Sequence, residues 1–185
     1  LSYLGVLSEA QKDGESCGCN KKKDPDCSLQ QIDTNKCSLF RGAGYQCQRI
    51  TRFYDCCADR GFAVPLFKCT KQEQELQSKQ QAKVCAYVGA WKKGGWINRR
   101  LGARKRSYCC FNSPIAKVIQ EQGRKQLGKG WGDVKNPDCG PLSLAEIQSL
   151  DFSKLDFSEI YDDLRAKATK DFGTKNKKMA EMLKS

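Results

Sequence analysis

The chain has 185 residues, with 33 Lys or Arg against 21 Asp or Glu, a formal net charge of +12 and no histidine. Lack of histidine removes the commonest general base and most zinc sites, and no run of about 18 apolar residues offers a membrane-spanning helix. Hydrophobic residues make up 39%, thinned by Cys, Ala and Tyr, so the core is modest and twelve cysteines are expected to reinforce it.

Residues 1–12, LSYLGVLSEAQK, place Leu4, Leu7 and Ala10 at helical spacing before Gly14, which predicts a short helix. Neither an initiator Met nor a signal peptide opens the chain at Leu1, so a mature product or a piece of a longer protein is expected. From Glu15 to Cys69, cysteine recurs among Lys, Asp, Gly and Pro without a clear period. Stapled loops with short strands, such as Gln46 to Tyr54, are predicted there. Thr70 to Lys83 is rich in helix formers, with Leu76 its only large apolar residue, and reads as a surface helix. Val84 to Trp91 and Lys105 to Phe111 are strand-like, and Gly94, Gly95 and Gly102 between them permit a hairpin reversal.

A well-punctuated helix follows, with Ser113 as N-cap, Pro114 at the first helical position, Ile115, Val118 and Ile119 on one face, and Gly123 as the stop. Ser143 and Glu146 form a capping-box pattern opening a helix through Leu150. Ser158 to Lys170 reads as another, striped by Ile160, Leu164 and Ala168. The fold class is therefore α+β, a small disulfide-rich domain with short helices, a β-hairpin and long stapled loops. One domain is expected over 1–170, divided into cysteine-rich loops (15–69), hairpin (84–111) and helical part (113–170), with a basic tail at 171–185 that frays.

The cysteines are Cys17, Cys19, Cys27, Cys37, Cys47, Cys56, Cys57, Cys69, Cys85, Cys109, Cys110 and Cys139. An even, dense set points to disulfides made in an oxidising compartment. Zinc is the rival use, but no Cys-x-x-Cys occurs, and Cys17, Cys19 and Cys27 are poorly spaced for a tetrahedral site. The same missing motif argues against a thiol oxidoreductase. Adjacent cysteines bond each other only with strain, so Cys56-Cys57 and Cys109-Cys110 should each find two different partners and act as hubs. The hairpin arms put Cys85 opposite Cys109 or Cys110, and a bond to one of them is expected.

Residues 123–129 fit part of a phosphate-loop pattern, but Gly130 stands where Ser or Thr must hold magnesium and a helix precedes it, so a glycine-rich turn is the better reading. Asp151, Asp156, Glu159, Asp162 and Asp163 gather at helix starts, where the dipole favours acids, rather than as a catalytic pair. No cofactor is expected. The strongest local charge is Gly89 to Cys110, where Lys92, Lys93, Arg99, Arg100, Arg104, Lys105 and Arg106 stand without an acid, interleaved with Trp91, Trp96 and Tyr108. These residues are the candidate contact with an anionic surface, a lipid headgroup layer or a nucleic-acid backbone. Charge runs are more often solvated faces, and a solvated, peripheral hairpin tip is the preferred reading. An oxidised compartment disfavours nucleic acid and favours lipopolysaccharide or an acidic protein surface.

The segments RFYDCCADRGF (52–62), RSYCCFNSPIAKVIQEQGRKQLGKGWG (106–132), NPDC (136–139) and LSLAEIQSLDFSKLDFSEIYDDL (142–164) resemble the C-terminal region of the TraN family, cysteine-rich mating-pair stabilisation proteins of F-type conjugation systems. The resemblance runs from about Phe40 to Leu164 and implies a place on the donor outer membrane, holding donor and recipient cells together during plasmid transfer. It implies partners among other conjugation and type IV secretion proteins of the donor envelope. Recipient outer-membrane proteins would be met through a variable region that this chain lacks. No catalytic or metal site comes with the family, so the expected role is structural adhesion without catalysis. The alternative is an independent secreted cationic protein that binds anionic cell envelopes or nucleic acid through the basic hairpin.

Overall fold

The computed structural model describes residues 38–50, 54–58, 62–63 and 68–161. Its centre is a five-stranded antiparallel sheet in the order β4-β3-β2-β6-β5. The strands are β2 (Ala43–Ile50), β3 (Tyr54–Asp55), β4 (Phe62–Ala63), β5 (Cys85–Lys92) and β6 (Arg104–Cys110). Two small ribbons flank it. β1 (Ser38–Leu39) pairs with β9 (Leu142–Ser143), and β7 (Gly132–Asp133) pairs with β8 (Asn136–Pro137). The helices are α1 (Lys71–Gln81), α2 (Trp96–Arg100), α3 (Pro114–Gln126) and α4 (Leu144–Gln148), followed by a 3-10 turn at Phe152–Lys154. Helices, antiparallel strands and disulfides together make the fold α+β, as the sequence predicts.

Alternation along the strands divides the sheet into two faces. Tyr45, Cys47, Tyr108, Cys110 and Cys85 share one face, over which α1 sets Leu76, its single fully buried apolar side chain. Burying that leucine contributes about 2 kcal/mol. The helix starts with a capping box: the Thr70 hydroxyl accepts from the Glu73 amide while the Glu73 carboxylate accepts from the Thr70 amide at 2.8 Å. The same buried carboxylate accepts from the Gln48 amide at 2.8 Å, so one side chain both caps α1 and occupies the open edge of β2.

The second face carries Ala86 and Cys109, and with Phe111, Ala116, Val118, Ile119 and Ile147 it forms the main core under α3. Ser113 caps α3 through the Ala116 amide at 3.1 Å, and Pro114 fills the first turn. Val118 and Ile119 are buried and Ile115 packs half-buried beside them. The predicted stop at Gly123 is corrected, because the helix continues to Gln126 and Gly128 takes the positive φ beyond it. Gly123 is small for a packing reason: a Cβ there would lie 2.9 Å from Leu150 Cδ1. The capping box at Ser143 and Glu146 forms as predicted, but α4 ends at Gln148 rather than Leu150. Residues 158–161 begin a helix; the rest of the helix predicted to Lys170 lies outside the described residues, as do the helix predicted over 1–12 and the tail 171–185.

Two further expectations change. The region read as loops from Glu15 to Cys69, with a strand at Gln46 to Tyr54, contains a regular eight-residue strand, β2, which is central in the sheet and begins earlier, at Ala43. The reversal between β5 and β6 is not a plain turn but carries α2, with positive φ at Gly95 and Gly102 on either side.

Candidate functional site

The disulfides fix the framework on which the surface is built. Among the described residues, Cys47 bonds Cys57, Cys56 bonds Cys69, Cys85 bonds Cys110, and Cys109 bonds Cys139. Each adjacent pair has two different partners, as expected, and the predicted link from Cys85 is to Cys110, its direct cross-strand neighbour at 4.0 Å between Cα atoms. Cys17, Cys19, Cys27 and Cys37 lie outside the described residues. Cys56, Cys69 and Glu73 bring three metal-type donor atoms within 4.8 Å of one another. They do not fit a metal, because the two sulfurs are joined and the carboxylate is already accepting from Thr70 and Gln48.

The α3 C-terminus explains the glycine-rich text after it. Arg124, only 1% exposed, donates from Nε to Gln120 Oε1 at 2.8 Å, from Nη1 to the Gly130 carbonyl at 2.9 Å and from Nη2 to the Gly140 carbonyl at 2.9 Å. Its guanidinium lies 4.6 Å over the Trp131 ring, with Asp138 at 3.7 Å. Gln120 in turn donates to the Phe40 carbonyl at 2.7 Å. This network ties three connecting segments to one helix. Lys129 pairs with Glu146 at 2.6 Å, and that contact holds the Glu146 carboxyl below its ordinary range, with the Ser143 amide assisting. Lys129 and its glycines therefore build a helix end, not a phosphate cradle.

The acids near the end of the described chain are also locally engaged. Asp151 accepts from the Ser153 hydroxyl and amide and pairs with Lys154, and Asp156 is held by the Ser158 hydroxyl and then its amide, so both titrate below their ordinary range. Glu159 meets Lys117 at 3.2 Å. Asp162 and Asp163 lie outside the described residues.

The basic run does not form one uniform face. Lys92 and Arg104 are cross-strand partners at the end of the ladder, and Arg99 and Arg100 close α2; all four are exposed. The other three turn back on the body. Lys93 donates to Gln48 Oε1 at 3.2 Å, Lys105 donates to Gln46 Oε1 at 3.5 Å, and Arg106 lies against the Tyr108 phenol. The aromatic residues divide likewise. Tyr108 is buried in the α1 face, and Trp91 is half-buried with Lys105 and Lys135 at 5.6 and 5.4 Å from its ring. Trp96 stands 74% exposed at the tip, beside Ile97 at 54% and Leu101 at 46%.

Sequence reasoning missed those two aliphatic side chains, because the helical turn that presents them is too short to show a period. Between β2, the start of α1 and the β7–β8 ribbon, Gln46, Gln48, Glu73, Lys105, Lys135 and Pro137 line a polar hollow of about 500 Å³. Its groups largely bond one another: Gln46 donates to the Lys135 carbonyl, and Glu73 accepts from Gln48. The described residues thus combine a cross-linked scaffold with one projecting cationic and apolar tip.

Residues 9–143 match the family described as F-type Type IV secretion system, TraN. The chain is 33% identical over 171 residues to the mating pair stabilization protein TraN of Escherichia coli (strain K12), an alignment covering 89% of this chain and 25% of the relative. The chain thus spans about a quarter of that relative's length. No solved structure gives a significant match. With its stapled sheet and the Arg124 network falling inside the matched residues, the chain belongs to the TraN family of F-type type IV secretion.

Proposed function

We propose that this chain is a structural, adhesive part of a mating-pair stabilisation protein, acting by binding and without catalysis at the outer face of the donor envelope. The observation that carries this reading is the family match over residues 9–143, which spans the whole five-stranded sheet. The disulfides support an extracytoplasmic place, since such bonds persist where no thiol pool reduces them. No helix among the described residues is long and apolar enough to cross a membrane.

The partners are proposed to be other secretion proteins of the donor envelope. Recipient outer-membrane proteins would be met by regions of the longer relative that lie outside the aligned segment. The stretch 1–170 is proposed to act as one cross-linked domain, with Cys17, Cys19, Cys27 and Cys37 oxidised like the rest. Thiol titration of the denatured, unreduced protein should then return no free thiol. More than two would overturn that part.

The functional test uses donor cells whose own protein carries the change. Deleting this segment, or placing Ile119→Ala in its core, should lower plasmid transfer sharply in shaken liquid, where shear separates pairs. On a solid surface, where cells stay apposed, transfer should fall less. Ile119→Ala should also lower the melting temperature, since truncating a buried isoleucine costs about 2 to 5 kcal/mol. Undiminished transfer in liquid after verified deletion would overturn the reading.

A further inference from the structure

The tip of the β5–β6 hairpin is folded yet builds no core. Its backbone is closed by Lys93 to Ala103, Arg99 to Gly95, Leu101 to Ile97 and Ala103 to Asn98 hydrogen bonds, and the Asn98 side chain donates to the Gly94 carbonyl at 2.7 Å. Nevertheless α2 buries none of its residues. Five large hydrophobic side chains are exposed among the described residues, and three of them, Trp96, Ile97 and Leu101, stand within six positions on this tip. Holding such side chains in water gains nothing for folding, and a clustered exposed set marks a contact surface. Around them project the free cations Lys92, Arg99, Arg100 and Arg104, in a stretch with no acid from Gly89 to Cys110.

We infer that this tip inserts Trp96, Ile97 and Leu101 into the interface of an anionic, phosphate-bearing lipid surface, with Arg99, Arg100, Arg104 and Lys92 on the headgroups. Three features select lipid over a protein partner. The exposed apolar set is three side chains, Trp96, Ile97 and Leu101, far fewer than the roughly 20 to 30 residues that each side of a stable protein complex contributes. Indole, with an apolar body and one N–H, suits the headgroup level. Long arginines beside inserted side chains can reach phosphates while their stems cover apolar surface. The contact is additional to the adhesive role, and it stands or falls separately from which proteins the chain meets.

The test is vesicle binding by the full chain, read by co-sedimentation and by a blue shift of tryptophan emission, on vesicles containing phosphatidylglycerol and on pure phosphatidylcholine. Binding should require the anionic lipid. Trp96→Ala should weaken it about ten-fold and abolish most of the blue shift. Changing Arg99, Arg100 and Arg104 together to Gln should weaken it about a hundred-fold, at about five-fold per charge. Lys68, Lys71 and Lys125, exposed elsewhere, changed together to Gln give the same net charge and should retain most of the binding. All variants should melt near the parent temperature, because none removes a buried side chain. Equal binding to neutral vesicles, equal loss in the two charge variants, or a self-associated dimer that Trp96→Ala dissolves without any lipid binding would each overturn the inference.

Discussion

At Arg124 a cation sits where solvent cannot reach it, and every contact it makes is to a carbonyl, an amide oxygen, a carboxylate or a ring face. Replacing it with Met would preserve bulk but strand the Gly130 carbonyl and the Gln120 Oε1, while the Gly140 carbonyl would keep only its longer bond from Gln120. Such a change should cost about 3 kcal/mol, read as a lower denaturant midpoint, and should weaken the near-UV signal of Trp131. Tyr45 offers a titration in the opposite sense. Burial, reinforced by its hydrogen bond to the Glu75 carboxylate, pushes the phenol from 10.0 to about 12. The native state therefore keeps a proton that the unfolded chain releases earlier. Stability from this source is intact below pH 10 and is lost between pH 10 and 12. Tyr45→Phe should flatten that alkaline limb of the melting-temperature profile and remove one late phenolate transition, near pH 12, at 295 nm, measured quickly enough to precede disulfide exchange.

Elements whose ends carry their own chemistry were legible before any coordinates. Ser113 and Pro114 announce α3, and Ser143 with Glu146 announces α4, because caps are local and need no partner elsewhere. The equivalent box at Thr70 and Glu73 is less legible, since the polar helix behind it shows no apolar stripe. Strand β2 was harder. Gly44, Gln46 and Gln48 do not look like one side of a strand, and they fit only because β7–β8 and α1 supply their contacts. The end of α3 departs from the sequence pattern for a related reason, as Gly123 is an answer to Leu150 rather than a stop signal. Alanine there normally favours a helix by about 1 kcal/mol, yet crowding against Leu150 should cost more, for a net loss of about 1 kcal/mol. In a Leu150→Ala background the same Gly123→Ala change should turn stabilising. Thermal unfolding of the four proteins in that cycle checks the reversal.

For the molecule as a whole, the cysteines foretold the adjacent-pair hubs and one of the bonds, while the tip's exposed Trp96, Ile97 and Leu101 became visible only once the sheet showed which side chains turn inward. The split of seven basic residues into four free and three engaged was equally hidden, because Gln46 and Gln48 reach Lys105 and Lys93 from β2, while Arg106 meets Tyr108 two residues along its own strand. The linkage of the hubs also has a mechanical meaning. A force entering at Cys47 crosses to Cys57, steps one peptide to Cys56 and leaves at Cys69. Further on it crosses from Cys85 to Cys110, steps one peptide to Cys109 and leaves at Cys139. Drawn straight without those bonds, the backbone between Cys47 and Cys139 would reach about 330 Å at roughly 3.6 Å per residue. With them, the stretch free to lengthen is Cys69 to Cys85, about 60 Å of contour, and α1 occupies most of it. A tether built this way yields one short helix under load and then goes taut.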